Sequence, residues 1–134
     1  MKFSRDGALF ITAALDGIRF WRVANGALVA YFDIETTKVQ SLDVSRDNRY
    51  FAYGRDDGVL VLARMPLYMS EISRSDDQLI LRWQGGTGRY QLQHREDLTG
   101  GELQNVSEPT TDTSFTATVS GRTVFYRVQS LPTP

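Results

Sequence analysis

The sequence predicts an all-β chain, and three observations carry that expectation. Between Ala8 and Val128 the apolar residues fall in short runs rich in β-branched and aromatic side chains. Clusters of Gly, Asp, Asn, Ser and Thr, the residues that turn a chain, separate these runs, and none of them carries a convincing helical pattern. The third observation is a repetition. Phe3 to Val23, FSRDGALFITAALDGIRFWRV, aligns without a gap on Val44 to Arg64, VSRDNRYFAYGRDDGVLVLAR, at an offset of 41 residues. The pairs Ser4/Ser45, Arg5/Arg46, Asp6/Asp47, Asp16/Asp57 and Gly17/Gly58 are identical.

In the first half the expected strands are Ala8 to Ala14, Ile18 to Val23, Ala27 to Phe32, Val39 to Val44, Tyr50 to Gly54 and Val59 to Arg64. Asp6-Gly7 and Asp47-Asn48 supply residues that tolerate positive φ, as two-residue hairpins require. Asp16-Gly17 and Asp57-Gly58 repeat that chemistry one hairpin later, and Asn25-Gly26 adds a third instance. Successive tight hairpins make an antiparallel meander, and the offset says that the meander itself recurs. A period of about 40 to 45 residues with four strands is that of a propeller blade.

These residues resemble the WD-repeat family of β-propellers. The pattern F-S-x-D-G-x-x-L-A-[ST]-G-S-x-D-G-x-[IV]-x-[LIF]-W-[DN] is matched by Phe3, Ser4, Asp6, Gly7, Asp16, Gly17, Ile18, Phe20 and Trp21. Ser45, Asp47, Gly54, Asp57, Gly58, Val59 and Val61 match it in the second copy. The resemblance implies four-stranded antiparallel blades, and ligands met by the loops at one end of a central channel. Here those are the connection Asp33 to Lys38 and the turn Arg55-Asp56, so Glu35, Thr36, Lys38, Arg55 and Asp56 are the candidate interaction residues. Two departures matter. The family's Gly-His dipeptide is absent near Ile34-Glu35, and the Trp-Asp ending is Trp21-Arg22 in one copy and Leu62-Ala63 in the other. Asp16 and Asp57 are then expected to hold their turns by accepting backbone N–H bonds, with Gly17 and Gly58 serving the same turns.

Only Met1 to Ser4 precedes the first hairpin, so the first copy is expected to lack its opening strand. Closed propellers need about four to eight blades, and fewer than two are present. The expectation is a C-terminal fragment of a larger propeller protein, completed by further blades or self-associating through open sheet edges.

Met65-Pro66 ends the period, because Pro66 cannot donate to a sheet ladder. The boundary is set there: two blades over 1–66, a second module over 67–134. Leu67 to Ile72 reads equally as the last strand of the second blade or the first strand of the second module. Further strands are expected from Leu79 to Trp83, Tyr90 to Arg95, Leu103 to Val106, Ser114 to Val119 and Thr123 to Gln129, with a core of Leu79, Leu81, Trp83, Tyr90, Leu92, Phe115, Val119, Tyr126 and Val128. LILRWQGGTGRYQLQHREDLTGG, TDTSFTATVSG and the terminal FYRVQ resemble a fibronectin type III domain, especially the short form at the C-termini of bacterial surface and secreted proteins. That resemblance implies a small β-sandwich lacking its last strand and an extracytoplasmic or cell-surface setting.

The chemistry-bearing residues form no catalytic constellation. Gly85-Gly86-Thr87-Gly88 lies between strands, without the Lys-Ser/Thr and following helix of a phosphate loop. His94 is the only histidine, reads as a surface or edge residue, and leaves no metal-ligand pair. Asp56-Asp57, Asp76-Asp77 and Glu96-Asp97 sit at turns, without the alternating spacing of a calcium loop. Trp21, Trp83, Tyr90 and Tyr126 read as inward-facing core. No cofactor and no metal are expected. Fifteen Lys and Arg against sixteen Asp and Glu leave no electrostatic footprint for nucleic acid. No apolar run approaches the roughly 20 residues of a membrane span, the N-terminus is a charged turn and not a signal peptide, and the absence of Cys removes thiolate chemistry. The expectation is a non-enzymatic protein-interaction or scaffold module. The alternative is the accessory end, spacer or carbohydrate-binding, of a larger secreted enzyme.

Overall fold

The computed structural model describes residues 1–34, 37–97, 99–119 and 123–133. Every regular element among them is a β-strand, and the chain divides into two compact units, Met1–Tyr68 and Met69–Pro134.

In the first unit, β1 (Lys2–Phe3), β2 (Leu9–Ala14), β3 (Gly17–Arg22) and β4 (Leu28–Phe32) make one antiparallel sheet in the order β1-β2-β3-β4. β5 (Val39–Val44), β6 (Tyr50–Arg55) and β7 (Leu60–Arg64) make a second, in the order β5-β6-β7. The first copy does contain an opening strand, contrary to expectation: Lys2 pairs with Ile11 and Phe3 with Phe10. Two residues suffice because Phe3 is closed onto Phe10 by ring packing at 5.0 Å as well as by the ladder.

Among the described residues of the first unit the hairpins are also longer than two residues, with one exception. The Ser4 N–H donates to the Leu9 carbonyl and the Ser45 N–H to the Tyr50 carbonyl, so both SRD turns span four residues. Only Leu15-Asp16 is a two-residue loop, closed by the pair Ala14 and Gly17. Its counterpart carries three residues, Asp56, Asp57 and Gly58, between Arg55 and Val59, with Gly58 at φ 84°. That is a type I turn followed by a left-handed residue. The extra residue moves the equivalence of the next strand by one: Thr12 faces Arg19 where Tyr53 faces Val61, and Phe10 faces Trp21 where Phe51 faces Ala63. The gapless alignment therefore fails beyond the turn, and Trp21 corresponds in space to Ala63, not Leu62.

Alternation then sorts the side chains. On the first sheet Leu9, Ile11, Ile18 and Phe20 share one face and are fully buried; on the second Val44 and Phe51 share a face and are buried against them. Phe20, Phe32 and Phe51 form an edge-to-face triangle with centroids 5.1 to 5.5 Å apart. Removing such a side chain from water contributes about 1.5–3 kcal/mol. Neither sheet buries Phe20 or Phe51 alone, so the two stand together. Trp21 is not in this core: it sits half-buried on the opposite face beside Phe10, its Nε1–H donating to Thr12 Oγ1 at 2.9 Å.

β8 (Tyr68–Ser75) pairs in the order β12-β9-β8 with β9 (Gln78–Gln84) and β12 (Ser114–Thr118), so of the segment Leu67 to Ile72 the part from Met69 lies in the second unit's sheet, while Tyr68 is buried in the first unit's core. β10 (Tyr90–Arg95) is the middle of a sheet ordered β11-β10-β13, with β11 (Gln104–Asn105) and β13 (Phe125–Ser130) beside it. Leu81, Trp83, Tyr90, Leu92 and Ala117 are buried, and Phe115 meets Tyr126 at 6.2 Å.

Candidate functional site

The repeated SRD turns carry the densest polar network in the first unit. In the first copy the Ser4 hydroxyl donates to Asp6 Oδ1 at 2.6 Å and accepts the Leu9 N–H at 2.9 Å, while Asp6 Oδ1 also accepts the Ala8 N–H at 3.2 Å. The second copy repeats it: Ser45 donates to Asp47 at 2.7 Å, accepts the Tyr50 N–H at 2.9 Å, and Asp47 accepts the Arg49 N–H at 3.1 Å. The Ser45 hydroxyl and then the Arg49 N–H hold the Asp47 carboxyl below its usual range.

The two turns are joined. Asn48, at φ 56° and buried, accepts the Arg5 N–H on its Oδ1 at 2.7 Å, and the Arg5 guanidinium donates to the Val44 carbonyl at 3.1 Å. Lys2 and Arg5 lie 3.5 and 3.8 Å from Asp43. The backbone N–H of Val44 and then Lys2 keep the Asp43 carboxyl low. Tyr68 closes the cluster by donating to Asp6 Oδ2 at 2.9 Å, and burial together with the Asp6 charge pushes its phenol well above the ordinary value. Sequence reasoning missed Asn48, Arg5 and Tyr68 as a joint. The one signal was Asn in the second copy where the first has Gly7, a side-chain-bearing residue that tolerates positive φ better than most and adds an acceptor.

The expected turn aspartates diverge. Asp57 accepts the Val59 N–H at 3.2 Å, as anticipated, and also pairs with Arg55 at 2.7 Å. Asp16 is held mainly by Arg19, which grips both its oxygens at 3.0 and 2.6 Å and lowers its carboxyl, with a smaller lowering from the backbone N–H of Asp16 itself. Arg19 in turn stacks 4.9 Å over Tyr31, whose hydroxyl donates to the Asp16 carbonyl.

Of the candidate interaction residues, Glu35 and Thr36 lie outside the described residues. The other three meet at one end of the second sheet. The Asp56 N–H donates to the Lys38 carbonyl at 3.0 Å, and Arg55 donates to Thr37 Oγ1 at 3.0 Å. Arg55 Nε is buried with no hydrogen-bond partner among the described residues. The side chain is spent on bracing the loop, leaving Lys38 and Asp56 exposed with charges of opposite sign.

In the second unit Trp83 is 1% exposed, edge-to-face with Tyr90 at 5.9 Å, and its Nε1 has no partner among the described residues. It borders a cleft of about 370 Å³ with Leu92, Pro109 and Phe115 as apolar lining and Glu108, Asp112 and Thr110 as polar lining. Tyr126 stacks on His94 at 6.3 Å. His94 is on the middle strand of its sheet, not at an edge. The Gly85 to Gly88 segment is a turn: the Gly85 carbonyl accepts from Tyr90 Oη at 2.7 Å, and Thr87 donates its N–H to Ser130 at 2.9 Å. Among the described residues no cluster of three His, Cys, Asp or Glu has metal-binding geometry, and no helix is long and apolar enough to cross a membrane.

The remaining surface feature of the first unit is apolar. Phe3, Phe10, Trp21, Leu28 and Tyr31 lie on the outer face of the first sheet, and Leu60 and Leu62 on the outer face of the second. Compared with protein-family models, curated protein sequences and solved structures, the chain matches none, so the roles of these surfaces rest on the chemistry of their own residues.

Proposed function

We propose that the chain is a non-enzymatic protein-interaction or scaffold module, built from two WD-repeat-like blades over 1–66 and a fibronectin-like sandwich over 67–134. One observation carries this reading: each sheet of the first unit buries one face and turns large apolar side chains outward on the other, with Leu60 at 76% and Leu62 at 70% exposure. Contiguous apolar exposure of that kind marks a protein contact surface. The carboxylates support the same reading, because Asp6, Asp16, Asp47, Asp57 and Asp97 all have oxygens engaged in turn or ion-pair bonds. They are spent on architecture.

Site-specific photo-crosslinking in the cell of origin tests it. A photoreactive phenylalanine at Leu62 or Phe3 is expected to trap a protein chain. Yields no higher than from the exposed Glu102 would overturn the reading.

A second reading rests on the Trp83 cleft. Acidic and hydroxyl side chains (Glu108, Asp112, Thr110) around an apolar lining of Leu92, Pro109 and Phe115 suit a hydroxylated ligand such as a sugar, the accessory carbohydrate-binding role. Titration with simple oligosaccharides should quench Trp83 fluorescence in a Trp21→Phe background if it holds; an unchanged spectrum removes it.

A further inference from the structure

The two outer faces are related to each other as the two inner faces are. With the one-residue shift at the Gly58 turn, Ile18 and Phe20 of the first sheet correspond to Leu60 and Leu62 of the second. The first pair is 0% exposed because the second sheet lies on it; the second pair occupies the same place on its own sheet and is uncovered. Leu9 and Ile11, also buried, correspond in the same way to Tyr50 and Ala52.

The opposite faces show the converse relation. Val44 and Phe51 of the second sheet, buried against the first, correspond to Phe3 and Phe10, which have no sheet of this unit over them among the described residues. Phe3 is 59% exposed. The molecule therefore holds one example of a face-to-face contact together with an unoccupied copy of each of its two halves. Because both sheets turn corresponding faces in the same direction, the open faces are unlike, and unlike faces match.

We infer that a second copy of this chain docks head to tail, its Phe3, Phe10 and Trp21 face covering Leu60 and Leu62. The inference rests on the interaction-module reading and names its partner. Such a contact is heterologous: each copy uses one surface and offers the other, so association continues until a ring closes or a filament grows. It does not use the sheet edges, where hydrogen bonding would join copies side by side.

The test uses the whole chain in sedimentation velocity from low to high micromolar concentration. The wild-type protein is expected to gain mass with concentration. Leu28→Glu, beside Trp21, disables one surface and Leu60→Glu/Leu62→Glu the other, and all three positions are exposed, so near-ultraviolet circular dichroism should show each variant folded like wild type. Each variant alone is expected to remain monomeric, with apparent affinity weakened at least about tenfold. Mixed in equal amounts they should form a one-to-one dimer that grows no further, since one intact surface of each kind remains. A variant that still dimerises alone means a symmetric contact and overturns the inference. So does a wild-type chain that stays monomeric throughout; protein cross-links at Leu62 would in that case leave the interaction reading standing with a different partner.

Discussion

Asn48 stands where the first repeat has Gly7, and the difference is chemical as well as conformational. Both residues hold positive φ, at 56° and 72°. Asn48 adds the carbonyl that receives the Arg5 N–H. Asn48→Gly keeps the conformation and loses the bond, for about 1 kcal/mol. Asn48→Ala loses the same bond and keeps the left-handed Cβ that glycine lacks, a difference of roughly 1–2 kcal/mol, so urea denaturation should find the Ala variant less stable than the Gly variant. The Asp47 carboxyl gives a pH prediction of definite sign. Its folded pKa is lowered, chiefly by Ser45. Its contribution is therefore fully present above the unfolded value of about 4 and is lost as pH falls through the lower folded value. Ser45→Ala should flatten that acid limb of the stability profile, and an unaltered limb would count against the bond. At this scale the sequence was legible in its Ser-x-Asp turns, since their hydrogen bonds are local. It was silent on Asn48 with Arg5, because that bond crosses 43 positions.

At the scale of elements, the strands were legible because alternating β-branched and aromatic runs reach the backbone directly. The length of the loops between them was not. Gly17 and Gly58 look alike in sequence, yet Gly58 supplies a left-handed turn residue with open space around it, whereas Gly17 opens a strand under a neighbouring one. A Cβ on Gly17 would lie 2.6 Å from the Phe32 carbonyl oxygen. Gly26→Ala, with nothing near it, should cost roughly 1–2 kcal/mol for φ alone. Gly17→Ala should cost more, because overpacking adds about 1–3 kcal/mol; equal thermal shifts would contradict the close approach. The misplaced Trp21 arises from the same blind spot. A periodic pattern says which residues share a face, and cannot say which face a second sheet will cover.

For the whole molecule, each unit has its own core and its own tryptophan. Leu92 is buried in the second, and Leu92→Ala should cost about 2–5 kcal/mol. In a Trp21→Phe background the unfolding seen at Trp83 should move by that amount. In a Trp83→Phe background the unfolding seen at Trp21 should not shift on adding Leu92→Ala. The candidate loop residues were placed by resemblance alone, and the structure joins Lys38, Arg55 and Asp56 through backbone and bracing bonds. The apolar outer faces were illegible for a physical reason: in sequence, an apolar strand residue reads the same whether a partner covers it or not.

The shared direction of the two sheets has one more consequence, which concerns inheritance. A stack whose units all face the same way can be lengthened by copying. An in-frame duplication of one 41-residue period would lay a new Ile18 and Phe20 against an existing aromatic face, with no residue obliged to change. Stability in such a series grows by one unit term and one neighbour term per copy. The gene would gain a sheet at the moment it gained the letters.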